Sequence, residues 1–256
     1  MNAKSPRFVI PSPTEVPDDV RFYYRHARRS QEPVVELGAT DGRYCLVLAS
    51  QEIRVVGVDA DAERLAAMQA FAETRGYPLT TVHAPWPEFE PTNRVGMIYV
   101  PAARLTSLLT FDEQMAFLRR VREHLHIGGK LAFDLPVPRV EKMAPFASEE
   151  GQALRLRETR HDQHTNITTY VWERRAYDLV NQVEVRHEVH EEVGPDGHTR
   201  SRRHVTHRRA FFWPQQVRAM LEAAGYYIEA VFGGFNDEPL TPESRVQVWV
   251  VRRPLD

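Results

Sequence analysis

One cysteine, Cys45, stands among 256 residues. A single thiol closes no internal disulfide and builds no cysteine cluster for a metal, and such sparing use fits a reducing compartment. Long apolar runs are also missing. Nothing approaches the ~20 residues that a membrane-spanning helix needs. The first stretch is broken by Pro6, Pro11, Pro13 and Pro17 where a leader would carry an apolar segment. There is no excess of charge either: the formal net charge of −2 sets up no global field toward nucleic acid or anionic lipid. These absences predict a cytoplasmic protein with neither membrane nor nucleic-acid partner. What remains, 42% hydrophobic and 27% charged residues, suits one globular domain with an insertion, or two small domains.

The stretch Val34-Val35-Glu36-Leu37-Gly38-Ala39-Thr40-Asp41-Gly42-Arg43 organises the chain. A short apolar run ends in Glu-Leu-Gly, turns through small and polar residues, and is predicted to enter a helix at Gly42. In open α/β sheets ligands sit beside such turns, at the carboxyl ends of the strands. Asp59, the acidic end of Arg54-Val55-Val56-Gly57-Val58-Asp59, follows about 20 residues on, the spacing of a ribose-binding carboxylate.

Strands are predicted over 33–38, 53–59, 79–84, 94–100 and 130–135. Between them, Asp61 caps a helix with Leu65, Met68 and Ala72 on one face. A second helix over 111–126 begins at a Thr110/Glu113 capping box, carries Phe111, Met115, Leu118 and Leu125 as its stripe, and is expected to stop at Gly128-Gly129. Asp18 or Asp19 is expected to cap a short helix through Phe22, Tyr23, Tyr24 and His26. Strands alternating with helices argue a doubly wound, mostly parallel Rossmann-like α/β sheet of seven strands. From Leu154 to Phe212 the period changes. Alternating stretches around 167–172 and 183–189, with a turn at Gly194-Pro195-Asp196-Gly197, predict an inserted antiparallel β-meander of about four strands. Pro214 then starts a helix that ends at Gly225, and strands follow over 226–232 and 246–252. The predicted organisation is an N-terminal arm over 1–18, a nucleoside-binding domain over 19–150 and 211–256, and an inserted β subdomain over 151–210.

With these features in place, the chain resembles the class I S-adenosylmethionine-dependent methyltransferases. Within them it is most similar to the bacterial small-molecule type with an antiparallel insertion, such as sugar N-methyltransferases and glycine N-methyltransferase. The resemblance rests on 36–43, on Val56-Gly57-Val58-Asp59, on the helix 111–126 followed by Ile127-Gly128-Gly129-Lys130-Leu131, and on Trp213-Pro214 to Ala224-Gly225-Tyr226. It implies S-adenosylmethionine as cofactor, held by Glu36, Gly38, Ala39, Gly42, Asp59 and Ala60, with Trp86 against the adenine and Tyr24, or its neighbour Tyr23, closing over the ligand. The sequence departs from the family pattern at Thr40, Pro85 and Gly96, where the family usually has a glycine and two acids. Pro85 and Gly96 keep a second reading open: a methyltransferase-fold protein that no longer catalyses and serves as a scaffold. A dinucleotide-dependent oxidoreductase shares the acidic strand end but needs a third glycine that this turn lacks.

The acceptor is expected to be a small molecule, methylated on nitrogen in preference to oxygen. Its side of the site is predicted to draw on Tyr99, Arg104, Ser107 and Asp134, and on Tyr170, Trp172 and Arg174 of the insertion. Seven histidines fall between 161 and 207. His187/His190 and His204/His207 are three apart, which puts each pair on opposite faces of a strand, so no metal site is predicted; one histidine remains a candidate base. The Arg-rich run 200–209 reads first as the solvated face of an edge strand, and second as a rim suited to an anionic acceptor. A homodimer is among the expected assemblies.

Overall fold

The computed structural model describes residues 8–12, 14–39, 41–146 and 153–255. Thr40, much of the predicted arm and part of the predicted boundary near 150 lie outside them. In chain order the elements are α1 (Asp18–Ala27), β1 (Val34–Leu37), α2 (Cys45–Ala49), β2 (Val55–Asp59), α3 (Ala62–Glu73), β3 (Leu79–His83), β4 (Val95–Val100), α4 (Phe111–His124), β5 (Leu125–Pro136), α5 (Val140–Met143), β6 (Arg155–Asp162), β7 (Ile167–Asp178), β8 (Val183–Val193), β9 (Thr199–Ala210), α6 (Pro214–Ala223), β10 (Tyr227–Phe232) and β11 (Val246–Arg252). They fall into two compact units. The first takes the chain to Leu105, then Asp112–Val137 and Trp213 onward; the second takes Thr106–Phe111 and Pro138–Phe212.

The first unit is built on a seven-stranded sheet in the order β10-β11-β5-β4-β1-β2-β3. The pairs β1–β2, β2–β3, β1–β4 and β4–β5 are parallel; β11 runs antiparallel to both β5 and β10. All four residues of β1 are buried, as expected of a central parallel strand covered on both faces. Around it Tyr23, Tyr99, Phe22, Phe133 and Trp249 are almost fully buried, and each contributes on the order of 2–3 kcal/mol by leaving water. Asp61 caps α3 by accepting from Arg64 N, and Leu65, Met68 and Ala72 form its buried face, as the sequence predicts. Pro214 opens α6, where its missing N–H costs nothing.

Three local expectations are corrected. Neither Asp18 nor Asp19 caps α1: Pro17 stands at the cap and the two acids lie in the first helical turn, where they favour the helix dipole. Phe111 is 59% exposed, and the buried face of α4 is completed by Phe117 and Val121 instead. Gly128-Gly129 does not end α4. The helix stops at His124, and β5 begins at Leu125, whose buried side chain takes a place in the sheet opposite Val95. The pairing then jumps to Met97 opposite Lys130, and Gly128, at φ +77, supplies the left-handed step that this bulge requires.

The second unit is the predicted meander, a four-stranded antiparallel sheet in the order β6-β7-β8-β9. One face of it is ionic. Glu188 on β8 accepts from Arg157 (2.8 Å) and His190 (3.0 Å), with Arg186 at 3.4 Å and His207 at 3.8 Å. Glu173 meets Arg157, Arg175 and Arg186. The arginine run lies on β9, the sheet's edge, with most of its residues exposed. Among the described residues no helix is long and apolar enough to cross a membrane.

Candidate active site

In the first unit, β1 is flanked by β2 on one side and β4 on the other. This is the point where the strand order reverses and where open sheets leave a crevice. The loop after β1 enters it in a strained shape. Gly38 takes φ +88 and Gly42 φ +67, both in the region that glycine tolerates best. The amides of Gly38 and Ala39 both donate to Val58 O (2.8 and 3.0 Å), fastening the turn to β2. Gly42 N donates to Ala39 O at 3.0 Å. A Cβ on Gly42 would stand 2.7 Å from Leu46 Cδ1, so packing demands a glycine as well. The expectation that the chain enters its helix at Gly42 is therefore corrected: the Gly42 amide closes the turn, and α2 starts at Cys45.

Glu36, one residue before the end of β1, is wholly buried. Its Oε2 accepts from Tyr99 OH at 3.0 Å. Oε1 has no partner at full hydrogen-bonding geometry among the described residues; the Cys45 thiol and amide only approach it. Burial pushes the Glu36 carboxyl up to about 8, against the pull of the Tyr99 hydroxyl, so it holds its proton at neutral pH. On the neighbouring strand Asp59 ends β2, 7% exposed, with Oδ1 accepting from Asp61 N at 3.0 Å. Ala60 follows on the surface, its carbonyl 3.1 Å from His83 Nε2. Trp86 lies three residues past β3 in a single 3₁₀ turn behind Pro85, half-buried and edge-on to Phe117 (5.4 Å, 76°). Thus Glu36, Gly38, Ala39, Asp59, Ala60 and Trp86 gather at adjacent strand ends. Gly96 is far from them, at the opposite end of the sheet, where a Cβ would meet Ser30 Oγ at 2.2 Å. Its missing carboxylate reflects that packing and has no bearing on the crevice.

Across the strand-order reversal, the chain leaves β4 through Pro101, Ala102 and Ala103. Both alanines are left-handed, at φ 57 and 55, a conformation costing roughly 1–2 kcal/mol per residue. Asp134 on β5 offsets that. Its Oδ1 accepts from Ala102 N (2.9 Å), its Oδ2 from Ala103 N (3.0 Å), and Tyr23 OH donates to Oδ1 at 2.6 Å. Hydrogen bonds to a carboxylate contribute about 1.5–3 kcal/mol each, enough to outweigh the strain. Burial holds the Asp134 carboxyl above its ordinary range despite those donors. Tyr23 stacks on Tyr99 at 5.4 Å, so Glu36, Tyr99, Tyr23 and Asp134 form one continuous buried row. No sequence signal announces the alanines, since left-handed turns are normally flagged by glycine or asparagine.

Other expected residues lie elsewhere. Tyr24, predicted to close over a ligand, lines a separate cavity of about 480 Å³ with Ile10, Val16, Val47 and Tyr77, none of them in the turn. Tyr99, placed on the acceptor side by the sequence, is fully buried behind Glu36. Arg104 lies along Gly38: a Cβ built there would stand 2.9 Å from Arg104 Nε. Ser107, Tyr170 and Trp172 belong to the second unit. There Tyr170 and Trp172 share one face of β7, both half-buried, while Arg174 is exposed. Among the described residues no three His, Cys, Asp or Glu side chains gather as a metal would need.

Comparison with known proteins finds methyltransferases. Residues 34–129 match the methyltransferase-domain family. The chain is 22% identical over 233 residues to a putative methyltransferase, GWCH70_2453, of Geobacillus sp. (strain WCH70), covering 90% of this chain and 87% of that one. Its fold superposes on the CcbJ methyltransferase of Streptomyces caelestis with a TM-score of 0.71, 22% identity and coverage of 95% and 93%. It also superposes on SAM-bound CalS10, an amino pentose methyltransferase of Micromonospora echinaspora, with a TM-score of 0.61, 18% identity and coverage of 92% and 89%. At these identities the two solved structures speak to the fold.

Proposed function

We propose that this chain is a class I S-adenosylmethionine-dependent methyltransferase that methylates a nitrogen of a small molecule while the crevice beside β1 and β2 holds the nucleoside of the cofactor, a reading supported by the match to the methyltransferase-domain family and by the methyltransferases it resembles. S-adenosylmethionine supplies a methyl group on a sulfonium, so the protein's task is alignment and exclusion of water rather than activation. The observation that carries the reading is a left-handed Gly38, which lets the backbone come close to a ligand, beside the buried carboxylate of Asp59 on the next strand. Two carboxylate oxygens suit the two hydroxyls of a ribose, and the Gly38–Ala39 turn and Ala60 lie to either side. Trp86, at the end of β3, offers a ring to the adenine. The row of buried polar groups fits a polar ligand: among the described residues Glu36 keeps an unpartnered oxygen in a dry place, which is costly unless something polar comes near it.

Nitrogen is preferred over oxygen because an amine needs only to arrive deprotonated, whereas a hydroxyl usually requires a base. The amino pentose acceptor named for CalS10 supports the same choice. Isothermal titration with S-adenosylmethionine and S-adenosylhomocysteine tests the cofactor half. Binding of both, weakened by about 100-fold in Asp59→Ala, is expected; no heat from either removes the reading. Mass spectrometry of amino sugars and their hydroxyl counterparts, each incubated with enzyme and cofactor, tests the acceptor half. A gain of one methyl confined to hydroxyl compounds would reverse the preference for nitrogen.

A further inference from the structure

Tyr24 leads away from the crevice, into a cavity of about 480 Å³ in the same unit. Ile10, Pro11 and Val16, ahead of α1, form one wall of it, and Val47 of α2 belongs to another. Tyr24 and Tyr77 add two rings, each partly buried against the core. Two arginines of α1 also line it, and both charges are already matched. Arg21 pairs with Asp18, and Arg25 with Asp237 at 3.1 Å and the Phe235 carbonyl at 2.9 Å. Chain connectivity puts this cavity at the end of the sheet where strands begin. Gln51, just past α2, lines it four residues before β2 starts, and Tyr77 two residues before β3 starts. The crevice lies where those strands end, so a molecule held here is out of reach of anything reacting there.

Small-molecule sites are concave, about 300–1,000 Å³, largely apolar, with a few polar groups to orient the ligand. The walls here have that character, and they select among ligands. Two tyrosine rings favour a flat ring system, met by stacking or edge-on. The paired arginines offer little to a charge, and an ionised group among apolar walls is costly. The Tyr24 and Tyr77 hydroxyls and the Gln51 amide can serve an uncharged polar group instead. The same two helices also carry the loop after β1. Asp19 of α1 accepts from Tyr44 OH at 2.9 Å and from Arg43 at 2.7 Å. Tyr23, beside Tyr24, donates to Asp134. Leu46 of α2 packs so close to Gly42 that no Cβ fits there. A ligand seated between the helices restrains the elements that shape the turn.

We propose that this cavity is a second ligand site, taking an uncharged ring compound that carries a hydroxyl, carbonyl or amine, and that filling it tightens the crevice through α1 and α2. The second half rests on the cofactor reading above; the first half does not.

Two fluorescent probes with one ring system test the ligand class: N-phenyl-1-naphthylamine, which is uncharged, and 8-anilinonaphthalene-1-sulfonate, which adds a sulfonate. Titration of the full chain is expected to show one site for the uncharged probe, with a Kd of about 10 μM, and binding about tenfold weaker or worse for the sulfonate. Ile10→Trp and Gln51→Trp fill the cavity from separate walls, at a half-buried and an exposed position. Each should weaken the uncharged probe by about tenfold or more and leave thermal unfolding in place. A sulfonate that binds as well as the uncharged probe overturns the ligand class. A probe that ignores both substitutions, or a full chain that binds no probe, overturns the site. Saturating probe should then tighten S-adenosylhomocysteine by about fivefold or more. An unchanged affinity removes the coupling, and displacement of the probe by S-adenosylhomocysteine puts the probe in the crevice and removes the site. Should S-adenosylhomocysteine fail to bind without probe, the cofactor reading and the coupling fall, while the probe titrations still decide the cavity.

Discussion

Glu36 of the first unit and Glu188 of the second sit on interior strands, 0% and 6% exposed, and they are buried in opposite ways. What acts most on Glu36 is burial, opposed by the Tyr99 phenol and the Cys45 thiol and amide, so burial wins and the carboxyl rises to about 8. Burial pushes Glu188 up too, but the His190 hydrogen bond and the charges of Arg186 and Arg157 outweigh it and leave the carboxyl below its ordinary range. The second unit thus uses its buried acid as a fastener between strands, with every oxygen engaged. The first unit keeps an acid dry, protonated and, among the described residues, partly unpartnered beside the turn after β1.

The comparison breaks first if Glu188 is dispensable. Glu188→Ala leaves two arginines and two histidines facing one another, and a loss of about 2–3 kcal/mol in urea unfolding is expected, discounted because its partners are partly exposed. S-adenosylhomocysteine affinity should be unchanged. Next comes Glu36. Its folded pKa of about 8 stands above the ordinary 4.5, so the folded state binds the extra proton between those values. The stabilisation is complete below pH 4.5 and is lost as pH rises to 8. Glu36→Gln, which imitates the protonated acid, should abolish a decline of roughly 1 kcal/mol per pH unit over that window; an unchanged slope would mean that Glu36 is paired after all. Glu188 should act in the reverse sense, its stabilisation failing only in acid, as pH falls below 4.5 and through its lowered pKa. The smallest effect is expected at His26, whose Nδ1 is buried without a partner among the described residues. Burial, with Lys130 nearby, lowers its pKa from 6.5 to about 4. Its contribution is present above pH 6.5 and lost as pH falls toward 4, so His26→Gln should flatten acid unfolding in that range by about 0.5 kcal/mol per pH unit or less.

Alternation of apolar strands with amphipathic helices made the parallel sheet legible, because each element states its period locally. The meander was legible for the same reason, its turn at 194–197 included. The strand-end pair Gly38 and Asp59 was also visible, since a glycine turn and an acid about 20 residues on are both written in sequence. What escaped depends on contacts that no local pattern encodes. Arg104 meets Gly38 from the far side of β4. Ala102 and Ala103 accept a conformation that alanine disfavours because Asp134, some thirty positions later, holds their amides. Tyr24 and Tyr23 are neighbours in an aromatic pair, and only packing decides that Tyr23 joins the buried row while Tyr24 turns to another cavity.

The strand beside β5 comes from late in the chain: Gln247 reaches the carbonyl of Pro136 across 111 positions. Hairpins let β6 to β9 zip up from local pairs, quickly and in any order. By contrast β5, with Leu131, Phe133 and Leu135 along it, must wait with one flank of hydrogen-bonding groups bare until β11 arrives. An unfilled apolar edge is the surface on which partly made sheets stick to one another, so the yield of refolding is governed by how soon that late strand finds its slot, and dilution rather than heat should decide how much protein is recovered.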